Sequence, residues 1–295
     1  MAINSKMVKP LQQGLLHLEV LRTERIAPHW ARLTFGGPDI RRFVPMGYDQ
    51  WFRLFLPVGG DEGLDRLPAK ANTMFGYLKY LRIPEGVRPV MRNYTVRAYR
   101  EGTADAPPEL DVDFVLHGSA ADGTAGPASA WAETCVAGES VVIIDEGLTF
   151  NPSRGVDRVV LAADETGLPA VSAICASLPS NASGIAIIEV PSADDALEFT
   201  HPAGIGVRWV VRDDARAKPG TMALDALRAT SLPAAPFHAY VVGEQALATG
   251  GRRLLVGERG IDKNLVSFCG YWRDGHGAPR TGSEVGAPSD ADTAR

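Results

Sequence analysis

The segment MRNYTVRAYR, residues 91–100, holds two arginines, an aromatic ring and a hydroxyl within six positions. In a regular strand, residues two apart share a face, so Arg92 and Tyr94 point one way while Thr95 and Arg97 point the other. A flavin ring needs a flat aromatic partner, a hydrogen-bonding group near N5 and cations for its pyrophosphate. These side chains supply all three if the strand twists or bulges near Thr95. The alternative interpretation is an exposed strand with solvated arginines.

A second candidate site lies in AADETGLPA, which joins an apolar run to a helical segment. The second half lacks a G-x-G-x-x-G motif, but a phosphate needs only a short strand-to-helix turn with free N–H groups at the helix start. Asp164, Thr166 and Gly167 form such a turn, and Thr166 is the expected N-cap. Gly243 and Glu244 end a later strand, at the edge where ligands bind in parallel sheets. A capped helix without a ligand is the alternative.

The pattern of the first half predicts a series of β-strands, and the first candidate site lies on one of them. No long helix interrupts them, and Gly and Pro separate them, which is typical of a closed antiparallel barrel or sandwich. GPASAWAET predicts one short helix, introduced by Gly126 and Pro127. The strand segments alternate apolar and polar residues; they are HLEVLRTERIAPHWARLTFGG, DQWFRLFLPV, RNYTVRAYR, ELDVDFVLHG and GESVVIIDEG.

The second half alternates short apolar runs with helical segments, which predicts a parallel, doubly wound sheet. Its strands are DRVVLAAD, GIAIIEV, VRWVV, HAYVVGE and LVSFCGYW, and its helices are TGLPAVSAICASL, TMALDALRAT and QALATGGRRLLVGERG. The predicted fold is therefore an N-terminal antiparallel β-barrel over residues 1–150, followed by an α/β domain over 151–277. Residues 278–295 have the composition of a flexible tail.

Composition excludes several classes of protein. The chain has 295 residues and a net charge of −5, so attraction of the whole protein to nucleic acid or to an anionic membrane is not expected. Three scattered cysteines without C-x-x-C spacing argue against a disulfide framework and a zinc site. No apolar run is long enough to span a bilayer, and the N-terminus lacks a signal-peptide pattern. A cytoplasmic monomer is the expectation.

Six motifs in order give the sequence a family resemblance. R-x-Y-T-x-R, DVDFVLHG, GPASAWA, DETGLPA, VVGE and GYWRDG together resemble the siderophore-interacting protein family, from about residue 15 to residue 275. These are FAD-containing ferric-siderophore reductases of the ferredoxin–NADP reductase superfamily. Each motif alone is weak, and their order makes the resemblance specific.

The resemblance implies roles for the residues that match these motifs. Tyr94 would pack on the flavin and Thr95 would bond near N5, so these two are the predicted catalytic residues. Trp131 could equally be core packing. The implied FAD contacts are Arg92, Tyr94, Thr95, Arg97, His117, Gly118, Gly126, Ala128, Ser129 and Trp131, and the implied nicotinamide contacts are Asp164, Thr166, Gly167, Gly243 and Glu244.

A ferric siderophore is bulky and often anionic, so its binding place is expected to be basic and open. Arg53 lies in DQWFRLFLP, where the family tends to carry a cation, and Arg253 and Lys263 lie in the part that comes near the flavin in the family. Each could instead be an ordinary surface charge. Trp272 could stack near the flavin or lock the C-terminus.

The implied function is reduction of siderophore-bound Fe(III) by NADH or NADPH through FAD. Glu189 ends the second strand of the second half, and Asp194 and Asp195 follow closely, where acid favours the ribose hydroxyl of NADH over a 2′-phosphate. Ferredoxin is the alternative donor, since some members of the family use it. The rival classes are a general NAD(P)H:flavin reductase or diaphorase and a non-enzymatic flavin- or siderophore-binding protein.

Overall fold

The computed structural model describes residues 7–153, 155, 157–212, 214 and 217–275, so the predicted tail lies outside the described residues. The first part is a seven-stranded antiparallel sheet in the order β4-β3-β7-β1-β2-β6-β5. Its strands are β1 (Leu16–Ala27), β2 (Trp30–Gly36), β3 (Trp51–Leu56), β4 (Val90–Thr95), β5 (Ala98–Arg100), β6 (Glu109–Val115) and β7 (Ser140–Gly147). The predicted barrel is thereby confirmed in outline.

The barrel closes inside the segment that carries the first candidate site. RNYTVRAYR, predicted as one strand, forms two strands at opposite ends of the sheet, β4 and β5. The Val96 N–H donates to the carbonyl of Gln50 at 2.8 Å, and the Arg97 N–H donates to the carbonyl of Asp111 at 3.0 Å. The chain thus crosses from one sheet edge to the other within two residues. This crossing, which we call the seam, replaces the regular geometry that the sequence suggested.

Two short helices between β3 and β4 were not predicted from the sequence. They are α1 (Glu62–Asp65) and α2 (Met74–Tyr80). Tyr77 and Tyr80 of α2 pack with Phe55 in a small cluster on the outer face of the barrel. The predicted GPASAWAET helix forms α3 (Pro127–Thr134) and lies against β2, β4 and β6.

The second part is a five-stranded parallel sheet in the order β10-β9-β8-β11-β12, which confirms the doubly wound prediction. One face packs with α4 and the other with α5 and α6. The elements are β8 (Arg158–Ala163), α4 (Leu168–Ser177), β9 (Ser183–Val190), β10 (Gly204–Val211), α5 (Thr221–Ala229), β11 (His238–Glu244), α6 (Gln245–Arg252) and β12 (Val266–Trp272). A π-helical turn over Arg253–Glu258 extends α6.

The two sheets share a core. Trp30 and Phe150 from the first part are fully buried in one cluster with Tyr240 of β11. Cys135 and Cys175 are buried and all three cysteines are free, as expected for small apolar residues. Across the described ranges, no group of His, Cys, Asp or Glu could hold a metal ion, and no helix is long and apolar enough to cross a membrane.

Candidate functional site: the barrel seam and the carboxyl edge of the parallel sheet

The tyrosine of R-x-Y-T-x-R lies at the gap between β4 and β6. Its ring centroid is 4.1 Å from that of Phe114, and Phe114 in turn lies 6.1 Å from Trp131 of α3. Burial raises the pKa of Tyr94 well above its ordinary value, so the phenol is neutral. Tyr94 is therefore held as a rigid aromatic surface beside α3.

Arg92 and Arg97 have different surroundings. Arg97 Nε lies 3.4 Å from Asp113 Oδ2, and Arg32 also binds that carboxylate with Nε 2.6 Å from Oδ1. Arg92 donates to the carbonyl of Met91 at 2.8 Å and has no carboxylate partner in the part of the chain that the structure describes. Its positive charge is therefore available to an anionic ligand, whereas Arg97 is partly neutralised.

Thr95 ends β4 opposite Trp51 of β3. Its residue surface is only 9% exposed, and its hydroxyl has no hydrogen-bond partner among the described side chains and main-chain groups. A nearly buried hydroxyl normally finds a partner, so one that stays accessible and unpaired fits a ligand group. The hydrogen-bonding role near N5 that the resemblance implies for Thr95 stays a prediction.

The start of α3 is open to an anion. Gly126 is the N-cap residue and has no side chain to accept a hydrogen bond. No side chain therefore caps the first N–H groups of the helix among the described residues. Ser129 is buried and its hydroxyl bonds both the N–H and the carbonyl of His117, at 3.0 and 3.2 Å. A Cβ on Gly126 would meet His117 Nε2 at 2.9 Å. Ser129 and Gly126 thus set the distance between the helix start and the exposed His117.

Three further predicted contacts have a structural role in this region. Gly118 has φ +68°, and a Cβ there would meet the Thr124 main chain at 2.5 Å, so the turn after His117 requires glycine. Ala128 is buried in the barrel core. Trp131 donates to Glu139 Oε2 at 3.0 Å and packs on that core, which supports the core-packing alternative.

The carboxyl edge of the parallel sheet is organised around Asp164. Its Oδ1 accepts from the Thr166 N–H and hydroxyl at 2.9 and 2.6 Å, and its Oδ2 accepts from the Glu244 N–H at 2.6 Å and from Trp272 Nε1 at 3.1 Å. Burial and the neighbouring charge of Glu165 raise its pKa well above the ordinary value. Asp164 thus ties together the ends of β8, β11 and β12.

The N-cap prediction for Thr166 is wrong. Asp164 caps a short 3₁₀ turn over Glu165–Gly167, and Gly167 is the N-cap residue of α4. A carboxylate at the strand end reaches the N–H two residues on more directly than the threonine reaches into α4. The hydrogen bond from Trp272 Nε1 to Asp164 holds the C-terminal strand against the end of β8. This is one of the two roles for Trp272 that the sequence left open.

Glu244 is fully buried, and its carboxylate is bonded to groups of the protein. Its carboxylate caps the N-terminus of α6 by accepting from Ala246 N–H and pairs with Lys218 Nζ at 3.3 Å. Gly243 has φ +124° and lies against Asp164. Both residues therefore shape the carboxyl edge.

The acidic groups that favoured NADH are largely occupied. Glu189 is fully buried and accepts from Arg212 Nη1 at 2.7 Å and from the N–H groups of Gly220 and Ala223 at 2.9 Å. Asp195 is fully buried and bonds His29 Nδ1 at 2.8 Å. Only Asp194 stays exposed, so the physical argument for NADH over NADPH is weakened.

The three predicted siderophore cations do not form one cluster with the seam. Arg53 Nε pairs with Glu146 Oε1 at 2.7 Å, and its side chain is 11% exposed. Arg253 follows α6 and Lys263 precedes β12, both exposed. β12 runs parallel to β11 with Trp272 opposite Glu244, so Lys263 lies at the amino edge, with about 20 Å of strand between it and that end. Their part in substrate binding stays a prediction.

Sequence reasoning missed a hydrogen-bond network between the two sheets. Asp49 is 2% exposed and accepts from the N–H groups of Thr149 and Phe150 at 3.0 and 2.8 Å and from the Tyr240 hydroxyl at 3.1 Å. The Tyr240 and Tyr271 hydroxyls lie 2.8 Å apart, and Tyr271 is 37% exposed at the end of β12. No local signal marked this network, because Asp49, Thr149 and Tyr240 are far apart along the chain.

The described residues fit an FAD molecule at the seam. Among the described residues, the Thr95 hydroxyl has no hydrogen-bond partner, the Arg92 guanidinium has no carboxylate partner and the start of α3 has no side-chain cap. They lie along β4 and the adjoining α3, beside the Tyr94 ring. This is the set that a flavin with a pyrophosphate requires.

Comparisons with known proteins agree with this geometry. The models for the siderophore-interacting FAD-binding domain and for the siderophore-interacting protein match residues 19–149 and 156–275. An uncharacterized protein of Mycobacterium tuberculosis is 32% identical over 87% of this chain and 89% of its own. The ferric vibriobactin reductase of Vibrio cholerae is 29% identical over 88% and 89%, and the NADPH-dependent ferric-chelate reductase of Escherichia coli is 26% identical over 86% and 91%.

A solved structure gives the same result. The siderophore utilization protein from T. fusca has a TM-score of 0.71 at 29% identity, with 92% of this chain and 97% of that chain covered. The match extends over both sheets, so it includes the seam and the carboxyl edge together. The chain therefore belongs to the siderophore-interacting protein family, with the FAD-binding domain first and the α/β domain second.

Proposed function

We propose that this protein is an FAD-dependent ferric-siderophore reductase that takes electrons from NADH or NADPH. The observation that carries the proposal is the seam itself, where, among the described residues, the Thr95 hydroxyl has no hydrogen-bond partner and Arg92 has no carboxylate partner, beside the open start of α3. The two relatives named as reductases of ferric chelates support the same reaction. When bound, FAD converts the two-electron supply of a nicotinamide into the one-electron reduction of Fe(III).

The proposal gives each predicted site residue a role. Arg92 and the N–H groups at the start of α3 bind phosphate, Tyr94 orients the aromatic ring, and the Thr95 hydroxyl hydrogen-bonds near N5. Arg97, His117 and Gly118 complete the FAD site, together with Gly126, Ala128 and Ser129, while Trp131 supports it from the barrel core. Asp164, Thr166, Gly167, Gly243 and Glu244 form the carboxyl edge that receives the nicotinamide nucleotide. The exposed Arg253 and Lys263 attract the ferric siderophore, and Arg53 remains a predicted contact although its charge is paired with Glu146.

Neither reaction partner requires an acid–base or nucleophilic dyad, since electrons alone reach the iron. The Fe(II) product binds a siderophore far more weakly than Fe(III), so reduction releases the metal. The proposal also takes the protein to be a monomer. Ferredoxin is the alternative electron donor.

The test is anaerobic and uses FAD-loaded protein, a ferric hydroxamate siderophore and a ferrous-iron trap. NADH and NADPH are added in turn, and trapped Fe(II) that requires both the protein and a nucleotide is the expected result. Flavin bleaching without Fe(II) would favour the diaphorase class, which a comparison with quinone acceptors then checks. If neither nucleotide bleaches the flavin, reduced ferredoxin replaces them, and failure of all three donors would contradict the reductase.

A further inference from the structure

Helix α2 presents an apolar surface to solvent that the reductase function does not use. Met74, Phe75, Leu78 and Leu81 are 66, 70, 49 and 38% exposed, and they account for half of the large exposed hydrophobic residues in the described chain. Their spacing over two turns puts them on one side of the helix. We call these four residues the α2 face. Contiguous exposed apolar surface of this kind marks an interaction site.

The exposure of the α2 face is a fixed property of the fold. The opposite side of the helix is held by Tyr77 and Tyr80, which are 8% exposed, and the Tyr80 hydroxyl donates to the Pro89 carbonyl at 2.8 Å. A Cβ on Gly76 would overlap the carbonyl of Lys70 at 1.8 Å, so the helix lies directly on the preceding segment. The side chain of Thr73 caps the N-terminus by accepting from the Gly76 N–H. The helix therefore cannot turn its apolar side inward.

Three cations without a carboxylate partner among the described residues lie in or next to α2. Between residues 66 and 84 the chain has four cations, Arg66, Lys70, Lys79 and Arg82, and no acidic residue, while Asp61, Glu62, Asp65 and Glu85 lie just outside this stretch. Arg66 pairs with Glu62, while Lys70, Lys79 and Arg82 have no carboxylate partner within the described ranges. Lys79 Nζ lies 5.0 Å from the Phe75 ring centroid. Apolar and cationic groups thus occupy the same surface.

Apolar side chains together with neighbouring cations favour an anionic lipid surface over a second copy of the chain as the binding partner of α2. A second copy of the chain seated on α2 by a two-fold axis would bring Lys79 and Arg82 of both copies together, which like-charge repulsion disfavours. A two-turn helix also offers less area than a stable dimer buries. An anionic lipid surface instead accepts the apolar side chains at the acyl boundary and the cations at the headgroups.

We propose that α2 is a docking element for the surface of an anionic membrane. The predicted absence of membrane attraction considered only the net charge of the chain, whereas Lys70, Lys79 and Arg82 place local positive charge next to the α2 face. Binding is peripheral, since only the outer side of a short helix takes part. Docking also orients the protein: α2 covers the Phe55–Met91 end of β3 and β4, four residues or about 13 Å along β4 from Thr95.

The test is sedimentation of the FAD-loaded full chain with vesicles of phosphatidylcholine and phosphatidylglycerol in equal parts, and with phosphatidylcholine alone. The expected result is binding to the anionic vesicles only, weakened by salt. The double variant Phe75→Ser, Leu78→Ser is expected to lose at least about ten-fold in affinity. Lys70→Gln and Lys79→Gln are expected to cost about five-fold each.

Val136→Ser is the matched control, since Val136 is 61% exposed and lies outside α2. It is expected to sediment like wild type. The α2 substitutions replace exposed side chains, and a thermal melt together with FAD absorbance establishes that each variant is folded. Equal sedimentation of wild type and the Phe75, Leu78 double variant would overturn the proposal, as would failure to bind anionic vesicles. Concentration-dependent self-association that the double variant abolishes would assign the face to a second copy instead.

Discussion

Gly243 lies so close to Asp164 that a Cβ atom on the glycine would meet the aspartate Cγ at 2.4 Å. The glycine also has φ +124°, which L-residues rarely adopt. The Glu244 N–H that follows donates to Asp164 Oδ2 at 2.6 Å, so the glycine lets β11 approach the end of β8 closely enough for that bond. The close approach of these two residues sets the shape of the carboxyl edge.

Gly243→Ala is therefore expected to destabilise the protein by about 2–4 kcal/mol, from backbone strain and overlap with a buried carboxylate. Chemical denaturation measures the loss. Gly206→Ala is the control, because the nearest atom to a Cβ there is the Gly184 carbonyl oxygen at 4.0 Å. A Gly243 variant as stable as the Gly206 variant would contradict the steric role.

Arg92→Ala is expected to weaken FAD retention by about 1.5–3 kcal/mol, roughly ten- to hundred-fold, because it removes charge-assisted hydrogen bonds to phosphate. The dissociation constant is measured by flavin fluorescence on adding FAD to apoprotein. Arg22→Ala is a matched loss of charge, since Arg22 pairs with Glu109 at 2.7 Å on the outside of the barrel. Equal FAD affinity of the Arg92 variant and wild type would remove Arg92 from the phosphate site.

Thr95→Ala is expected to retain FAD but slow its reduction by a nicotinamide nucleotide, because the hydroxyl near N5 is lost while Arg92 and Tyr94 remain. The rate of flavin bleaching under anaerobic conditions measures the effect. Thr95→Ser keeps the hydroxyl and is expected to restore most of the rate. An alanine variant that bleaches as fast as wild type would exclude Thr95 from this role.

The buried carboxyl of Asp145 makes the stability of the folded protein depend on pH. Burial raises its pKa to about 6, while its oxygens accept from Gly147 N–H at 2.9 Å and from Gln50 Nε2 at 2.8 Å. The folded state therefore binds this proton more tightly than the unfolded state does. Its contribution to stability is complete only below the ordinary aspartate pKa of 3.8 and is lost as the pH rises from there through about 6.

Asp145→Asn removes that titration. The free energy of unfolding of wild type relative to the variant is expected to fall by about 2–3 kcal/mol between pH 4 and pH 7, as measured by denaturant unfolding. Asp225→Asn removes an exposed carboxyl on α5 and serves as the control. A wild-type-to-variant difference that stays constant with pH would show that Asp145 does not titrate in this range.

The fold and its family were predictable from the sequence, because local patterns carry them. Period-two alternation in the first half and apolar runs between helices in the second specify which face of each element is buried, and burial decides the sheets. The motifs R-x-Y-T-x-R and DETGLPA lie in short contiguous stretches, so Tyr94, Thr95 and Asp164 were found as candidates. A segment such as α2 was missed, since a seven-residue helix with an exposed apolar side has no clear period.

Only the tertiary structure decided which charges are free. Arg53, Glu189 and Asp195 looked available along the chain, yet Glu146, Arg212 and His29 satisfy them across distant elements. It also decided that Val96 and Arg97 bond to opposite sheet edges, since closure of a barrel depends on strands far apart in sequence. Sequence by itself determined which residue types lie on which strand; the partner of each polar group followed from long-range packing, because a buried charge takes whichever partner the fold brings within reach.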